Sequence, residues 1–275
     1  MKKILLLIVI LFLVPLILRA QDASAHPSAQ SGEPFSSPAW IKIYSGYDFS
    51  LMGDVINGLK AWDSYVKTAG YQTSLSTDNS GFQYGGEAGL SLDDDNALSV
   101  SLDFISTQTE SWSLAAGSTK SISPSLQSGS LNYYRTILKE EGNRTYLMAG
   151  AGYYHASVNY YDGSNPSNSS TGTFTGDILG GTLGIGEEVG IGKIFTLGII
   201  AKGRLATFSQ VTAPSVVDMG STLTAGPYLL GITTEPSVVP GAIVSATSAL
   251  LGKFVRYAVV DYSGFSGDLT LAFHF

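Results

Sequence analysis

The chain contains no cysteine among its 275 residues. This absence excludes disulfides, thiolate metal sites and a lipid-modified N-terminal cysteine. Histidine is scarce as well, with three residues spread widely along the sequence, so a histidine-based metal site is not expected. Charged residues make up only 13% of the chain, which is low for a water-exposed enzyme. We therefore predict no metal and no cofactor.

The residues that are abundant are glycine, tyrosine and phenylalanine, at 32, 15 and 12 copies. No long apolar run follows the first twenty residues. Many aromatics, few charges and much glycine together indicate a protein whose outer surface does not face water.

The first segment has the pattern of a secretory signal peptide. A basic start is followed by an apolar stretch from Ile4 to Leu18, and Ala23 to Ala25 form an A-x-A cleavage site, with Ala20 as a second option. The alternative is a membrane anchor, but the stretch is short for a spanning helix and Pro15 interrupts it. We predict a signal peptide over residues 1–25, a flexible leader over 26–38 and one barrel domain over 39–275.

Cleavage would leave an acidic protein. The net charge of −7 becomes −10 without Lys2, Lys3 and Arg19, and −9 if Asp22 is removed too. Such a protein lacks the positive charge that neutralises phosphates, so no nucleic-acid partner is expected.

Period-two alternation of apolar and polar residues recurs eight times after residue 38. The first segment places Ile41, Ile43, Tyr47 and Phe49 opposite Lys42, Tyr44, Gly46 and Asp48. Further segments cover residues 82–92, 97–104, 128–138, 145–160, 178–191, 195–208 and 265–275. Alternation of this length is typical of strands with one apolar face.

The links between these segments alternate between short and long. Short links fall near residues 93–96, 139–143 and 192–194, and long links cover about 51–79, 112–123, 161–173 and 210–261. This arrangement predicts an all-β fold: an eight-stranded antiparallel transmembrane up-and-down β-barrel with short periplasmic turns and long outer loops. A soluble lipocalin-like barrel, with an apolar interior and a polar exterior, is the alternative. Here the polar faces of the strands carry mostly Gly, Ser and Thr with a few charges, and side chains of this size fit a narrow lumen. A further alternative adds strands from residues 222–232 and part of the 240s, which gives ten strands.

Two long loops carry helix-like spacing. Val55, Leu59, Trp62 and Val66 form an apolar stripe with Asp54 as a cap, and Ile243, Ala246, Leu250 and Phe254 form another. We predict short helices over the barrel rim, with a lid or recognition element as the alternative.

The mature chain resembles the small outer-membrane β-barrel proteins of diderm bacteria, in the broad OmpA/OmpW-like group. The most specific part is the closing segment, where Leu269, Leu271, Phe273 and Phe275 match the terminal strand of these proteins. The resemblance implies location in the cell outer membrane, contact with its lipid, and an end that the barrel assembly machinery recognises after delivery by periplasmic chaperones.

Charged residues on the polar faces are the first candidate site. Glu87, Asp103, Glu188, Lys202 and Arg204 are predicted to point into the lumen. Charges in a spanning element pair or mark a pathway, and an eight-stranded barrel is only wide enough for its own side chains. We therefore expect a side-chain-filled lumen in a structural or surface-display barrel, with a narrow channel for small hydrophobic or amphipathic solutes as the alternative.

A second candidate is His155 with Ser157, two residues apart on one strand face. A hydroxyl nucleophile needs a base within hydrogen-bond reach, and the pair is similar to the His-x-Ser of outer-membrane lipid A deacylases. Those enzymes orient the histidine with a glutamate about a dozen residues on, and residues 161–172 contain none. We therefore predict that the protein is not an enzyme, with a lipid-modifying hydrolase as the alternative. Asp93 to Asp95 could attract Ca²⁺, but a solvated turn is the simpler interpretation.

Overall fold

The computed structural model describes residues 37–115, 117–140, 142–165, 168–218, 221–223, 228–233, 243–247 and 255–275. The predicted signal peptide and most of the predicted leader lie outside these residues.

Eight antiparallel strands close into a ring. They are β1 (Ala39–Ser50), β2 (Ser80–Ser91), β3 (Asn96–Thr107), β4 (Thr119–Glu140), β5 (Asn143–Asn165), β6 (Asn168–Ile191), β7 (Phe195–Leu205) and β8 (Gly264–His274). Each strand pairs with its neighbour in sequence, and β8 pairs with β1 from Trp40↔His274 to Ser50↔Gly264. The predicted eight-stranded up-and-down barrel is confirmed.

The ring closes with a stagger between strands. A path of paired residues that leaves β4 at position 135 and passes once around the barrel returns to β4 at position 125. A stagger of this kind means that the strands are tilted against the barrel axis. Close packing at the seam needs small residues, because a Cβ on Gly264 would lie 1.8 Å from the Phe49 carbonyl oxygen.

The outer wall carries an apolar belt. Large apolar side chains point away from the barrel on every strand and are exposed, for example Ile43, Leu131, Leu183, Leu197 and Leu269. Exposed aromatic residues mark the two edges of the belt: Tyr47, Phe49, Phe82, Phe104, Tyr153 and Phe265 toward the long loops, and Phe195 and Phe273 toward the short turns. An apolar band between aromatic girdles is the surface of a membrane-spanning barrel.

Three strands rise well beyond the belt. The sequence predicted loops at 112–123 and 161–173, but β4, β5 and β6 continue through most of these residues, and Glu110–Leu114 pairs with β4 beside them. The prediction was wrong because these stretches are rich in Ser, Thr and Asn. Such residues usually indicate a loop, although here they form the solvent face of a sheet.

One predicted helix is confirmed. Helix α1 (Asp54–Thr68) buries Val55, Leu59 and Val66. Asp54 does not cap it: no side chain caps its N-terminus. The Asp54 carboxylate instead accepts hydrogen bonds from Arg256 Nη1 at 2.6 Å and from the Val259 amide at 2.9 Å. No helix among the described residues is long and apolar enough to cross a bilayer.

The second predicted helix is wrong where the structure describes it. Residues Ile243–Thr247 form a strand that pairs with Tyr228–Thr233, and Leu250 and Phe254 lie outside the described residues. Ile243, Val244 and Thr247 are β-branched, which favours a strand when a partner supplies the hydrogen bonds. The ten-stranded alternative is wrong too, since this hairpin attaches to the extension of β6 through Thr212–Ala213 and does not enter the ring.

Candidate functional site in the barrel lumen

The five sequence-predicted lumen residues all project to the inside of the barrel. Glu188 is fully buried, Glu87 and Arg204 are buried, and Asp103 and Lys202 are nearly so. Their strands place them there because inward and outward side chains alternate along each strand. The structure distributes them among clusters along the lumen, and hydrogen bonds through Asn132 and Ser101 connect the clusters of Glu87 and Asp103. Each cluster includes partners that the sequence did not predict.

The cluster nearest the short turns centres on Glu188. Lys42 Nζ lies 2.7 Å from Glu188 Oε1, and Arg144 Nη2 lies 2.6 Å from Glu188 Oε2. Lys42 Nζ also lies 4.6 Å from the centre of the Trp40 ring, with Tyr134 and Tyr146 close by. Two cations and the aromatic rings thus compensate the cost of burying this carboxylate.

Glu87 is held by neutral donors. The Tyr134 hydroxyl lies 2.8 and 2.7 Å from its two carboxylate oxygens, and Asn132 Nδ2 donates to Oε1 at 3.2 Å. The Ser99 hydroxyl donates to the same oxygen. These contacts hold Glu87 of β2 against side chains of β3 and β4 inside the lumen.

The middle cluster joins Lys202 to two carboxylates. Lys202 Nζ lies 2.8 Å from Asp268 Oδ2 and 3.4 Å from Asp103 Oδ1. Asp103 also accepts hydrogen bonds from the Tyr44 hydroxyl at 2.8 Å and from Gln83 Nε2 at 3.0 Å. The cluster connects side chains of five strands: β1, β2, β3, β7 and β8.

The outer cluster is an ion pair between Arg204 and Asp48. Arg204 Nη1 and Nη2 donate to the two oxygens of Asp48 at 2.9 and 3.2 Å. The same guanidinium donates to Ser50 Oγ at 3.0 Å and to the Tyr262 carbonyl oxygen at 2.8 Å. This paired geometry suits arginine, whose planar group presents several donors at fixed angles.

Little space remains between these clusters. The lumen contains a cavity of about 30 Å³, lined by charged and hydroxyl side chains that include Glu87, Asp103 and Lys202. That volume has room for about two water molecules. Charged and hydroxyl side chains therefore contact one another along the stretch of the lumen that the belt surrounds.

An apolar cap closes the outer end of the lumen. Helix α1 supplies Met52 from its entry and Leu59, which pack with Tyr262, Phe208 and Leu126 in one buried cluster. Lys120 fastens the helix to the sheet, with its Nζ 4.5 Å from the centre of the Trp62 ring and in an ion pair with Asp162. The sequence predicted the helix but not the cap, because the other members of the cap are distant from the helix in sequence.

The second candidate pair lies on the outer wall, just beyond the belt. His155 and Ser157 both face outward on β5, and His155 Nδ1 lies 2.7 Å from Asp177 Oδ1 on β6. Asp177 also accepts a hydrogen bond from Tyr153. A carboxylate therefore orients His155, although it comes from the neighbouring strand and not from residues 161–172.

The turn at Asp93 to Asp95 is held by its own hydrogen bonds. Asp93 Oδ1 accepts from the Asp95 amide at 2.9 Å and from the Asn96 amide at 2.8 Å. Within the described part of the chain, no three His, Asp or Glu side chains converge as metal ligands.

Several solved outer-membrane barrels are similar to this chain. The N-terminal β-barrel domain of Pseudomonas aeruginosa OprF aligns at 12% identity over 87% of this chain and 98% of that chain, with a TM-score of 0.37. OprG from the same organism aligns at 10% identity over 87% and 96%, with a TM-score of 0.41. Ail, the attachment invasion locus protein of Yersinia pestis, aligns at 10% identity over 86% and 97%, with a TM-score of 0.36.

No protein-family model matches the chain, and no curated protein matches it. The similarities to solved structures are weak, so the fold assignment rests on the closed ring of strand pairs and on the apolar belt.

The Asp48–Arg204 pair allows a direct measurement of coupling in the lumen. Arg204→Met leaves Asp48 buried without its cation and should lower the free energy of unfolding by about 3–5 kcal/mol. The double variant with Asp48→Leu should lose less than the sum of the two single variants, because it removes both charges. Urea unfolding in lipid vesicles measures all four proteins, and additivity within about 0.5 kcal/mol would contradict coupling.

Proposed function

We propose that the protein is an outer-membrane barrel that acts as a closed structural anchor and displays its cap at the cell surface. The observation that carries this proposal is the filled lumen, with buried ion pairs at three levels and an apolar cap over them. Export through a cleaved signal peptide and residence in the outer membrane are parts of the same proposal, supported by the first 25 residues of the sequence and by the apolar belt.

A closed anchor differs from a narrow solute channel in what it conducts. The purified full chain in planar bilayers should show no defined conductance steps, because charged side chains in contact block the path. Liposome swelling with small amphipathic solutes should match protein-free liposomes. The Glu188→Ala/Arg204→Ala variant, which removes side chains from two levels, serves as the opened control. Defined steps or solute uptake by the unmodified chain would favour the channel and contradict the anchor.

We also propose that the last strand is the assembly signal. Leu269, Leu271 and Phe273 alternate outward along β8 toward Phe275, which follows the strand. The centres of the Phe273 and Phe275 rings are 5.7 Å apart. The end of the last strand therefore presents a pair of aromatic rings. This end remains accessible until β8 pairs with β1.

Deletion of Phe275 separates assembly from stability. We expect the deletion to lower the amount of folded barrel in membranes much more than it lowers the unfolding midpoint of barrels already inserted. Replacement of Phe195, which lies at the same edge of the belt, by Ala is the matched control for loss of one aromatic ring. Equal losses of yield and stability after the deletion would contradict a signal at this end.

One observation favours a second candidate, a hydrolase that acts on lipid at the outer wall. Asp177 holds His155 through Nδ1, which leaves Nε2 available as the base for Ser157 on the same strand face. The unmodified chain should then alter the acylation of membrane lipid A, measured by mass spectrometry. The Ser157→Ala and Asp177→Asn variants should each leave the acylation unaltered. An acylation pattern that is identical with and without the unmodified chain would eliminate this candidate.

A further inference from the structure

Uncharged polar side chains cover the outer side of β4, β5 and β6 beyond the belt. Register places these residues in two rungs across the three strands. We call this surface the hydroxyl face: Ser123, Asn159 and Thr173 in one rung, and Ser125, Ser157 and Thr175 in the next.

The hydroxyl face continues sideways with the same chemistry. Ser111 of the strand Glu110–Leu114 pairs with Ser121 of β4, and Thr109 Oγ1 lies 2.8 Å from Ser123 Oγ. No Lys or Arg side chain lies in either rung. A surface that bound phosphate or carboxylate groups would need such cations.

The inner side of the same sheet is fully packed. Ile122, Leu126, Val158 and Phe174 alternate with the hydroxyl-face residues and have no more than 1% of their surface exposed. The sheet is therefore held in place from one side only, and its other side presents a fixed array. Thr173 Oγ1 donates to Asn159 Oδ1 at 2.8 Å, so neighbouring groups also orient one another.

Much hydrogen-bonding capacity on this face remains for another molecule. Each hydroxyl has one donor and two acceptor positions, and the Asn159 amide can donate two hydrogen bonds. Three contacts use part of this capacity: Thr173 Oγ1 donates to Asn159 Oδ1, Ser125 Oγ donates to the Ser157 carbonyl oxygen at 3.3 Å, and Ser123 Oγ shares a hydrogen bond with Thr109 Oγ1. The Ser157 and Thr175 hydroxyls and the Asn159 amide supply the donors for a ligand. An array of mixed donors and acceptors without net charge matches the hydroxyl groups of a sugar.

The face is continuous with the lipid-contacting belt. On β5 the outward residues run from Ala151 and Tyr153 in the belt through His155 to Ser157, and on β6 they run from Leu179 through Asp177 to Thr175. A molecule whose acyl chains contact the belt would therefore place its headgroup against the hydroxyl face.

We propose that the hydroxyl face binds the sugar headgroup of a glycolipid in the surrounding leaflet. The belt positions the acyl chains, and the two rungs supply the donors and acceptors for the sugar hydroxyls. The His155–Asp177 pair lies between the two regions, where the headgroup joins the chains. The proposal requires only the membrane-spanning fold, so the anchor and hydrolase proposals can each fail without affecting it.

The test compares glycolipid retention by three versions of the full chain. The first is unmodified; the second carries Ser123→Ala, Asn159→Ala and Thr173→Val, which removes one rung. The third is a matched control with Asn57→Ala, Ser64→Ala and Thr68→Val on the exposed side of α1. All three are reconstituted in bilayer discs of phospholipid with a minor fraction of a neutral glycosyl diacylglycerol, extracted gently, and analysed for bound lipid by native mass spectrometry.

We expect the rung variant to retain about tenfold less of this glycolipid than the unmodified chain, because it loses several hydrogen bonds. The control variant should retain as much as the unmodified chain. Unheated electrophoretic mobility confirms that each barrel is folded, and a rung variant that fails to fold is replaced by the milder Thr173→Val with Ser123→Ala.

Three results would overturn the proposal. One is equal retention by the folded rung variant and the unmodified chain. Another is an equal loss in the control variant, since the loss would then not depend on the face. The third is full displacement of the bound glycolipid by its free, delipidated saccharide at equal concentration, which would assign the face to a soluble saccharide.

Discussion

Closure of the hydrogen-bonded ring between β8 and β1 is the constraint on which the rest of this structure depends. A bilayer core offers no water to backbone N–H and C=O groups, so each strand in it needs a partner on both sides. The seam runs from Trp40↔His274 to Ser50↔Gly264 without a break. Once the ring is closed, strand alternation decides the remainder, since one face of every strand must be apolar and the other must fill the lumen.

The narrow lumen then imposes its own condition. Polar side chains inside it are shielded from bulk water, and buried charges are costly unless they are paired. The chain meets this condition with clusters that cross the barrel, such as Lys42 with Glu188 and Lys202 with Asp103. The same contacts that satisfy the charges also link distant strands, so in the closed anchor that we propose a stable barrel and a blocked path have one physical cause. The apolar cap closes the outer end.

Alternation allowed the sequence to predict the barrel strands and the inward direction of Glu87 and Arg204, because period two depends only on local residue order. It could not predict that β4 to β6 rise beyond the belt, since Ser and Thr are equally typical of loops. It also could not separate helix from strand near Ile243, where the partner at Tyr228–Thr233 decides. Asp177 was missed for the same reason: its contact with His155 depends on strand register, which sequence spacing does not reveal.

Water access at the middle of the lumen tests the account most directly. The natural chain lacks cysteine, so a single Ser101→Cys substitution reports on the lumen without background, and Ser64→Cys on α1 reports on exposed surface. In intact vesicles a small, water-soluble thiol reagent should label position 64 rapidly and leave position 101 unlabelled until the barrel is unfolded. Labelling of both positions at similar rates in the folded protein would contradict a closed lumen.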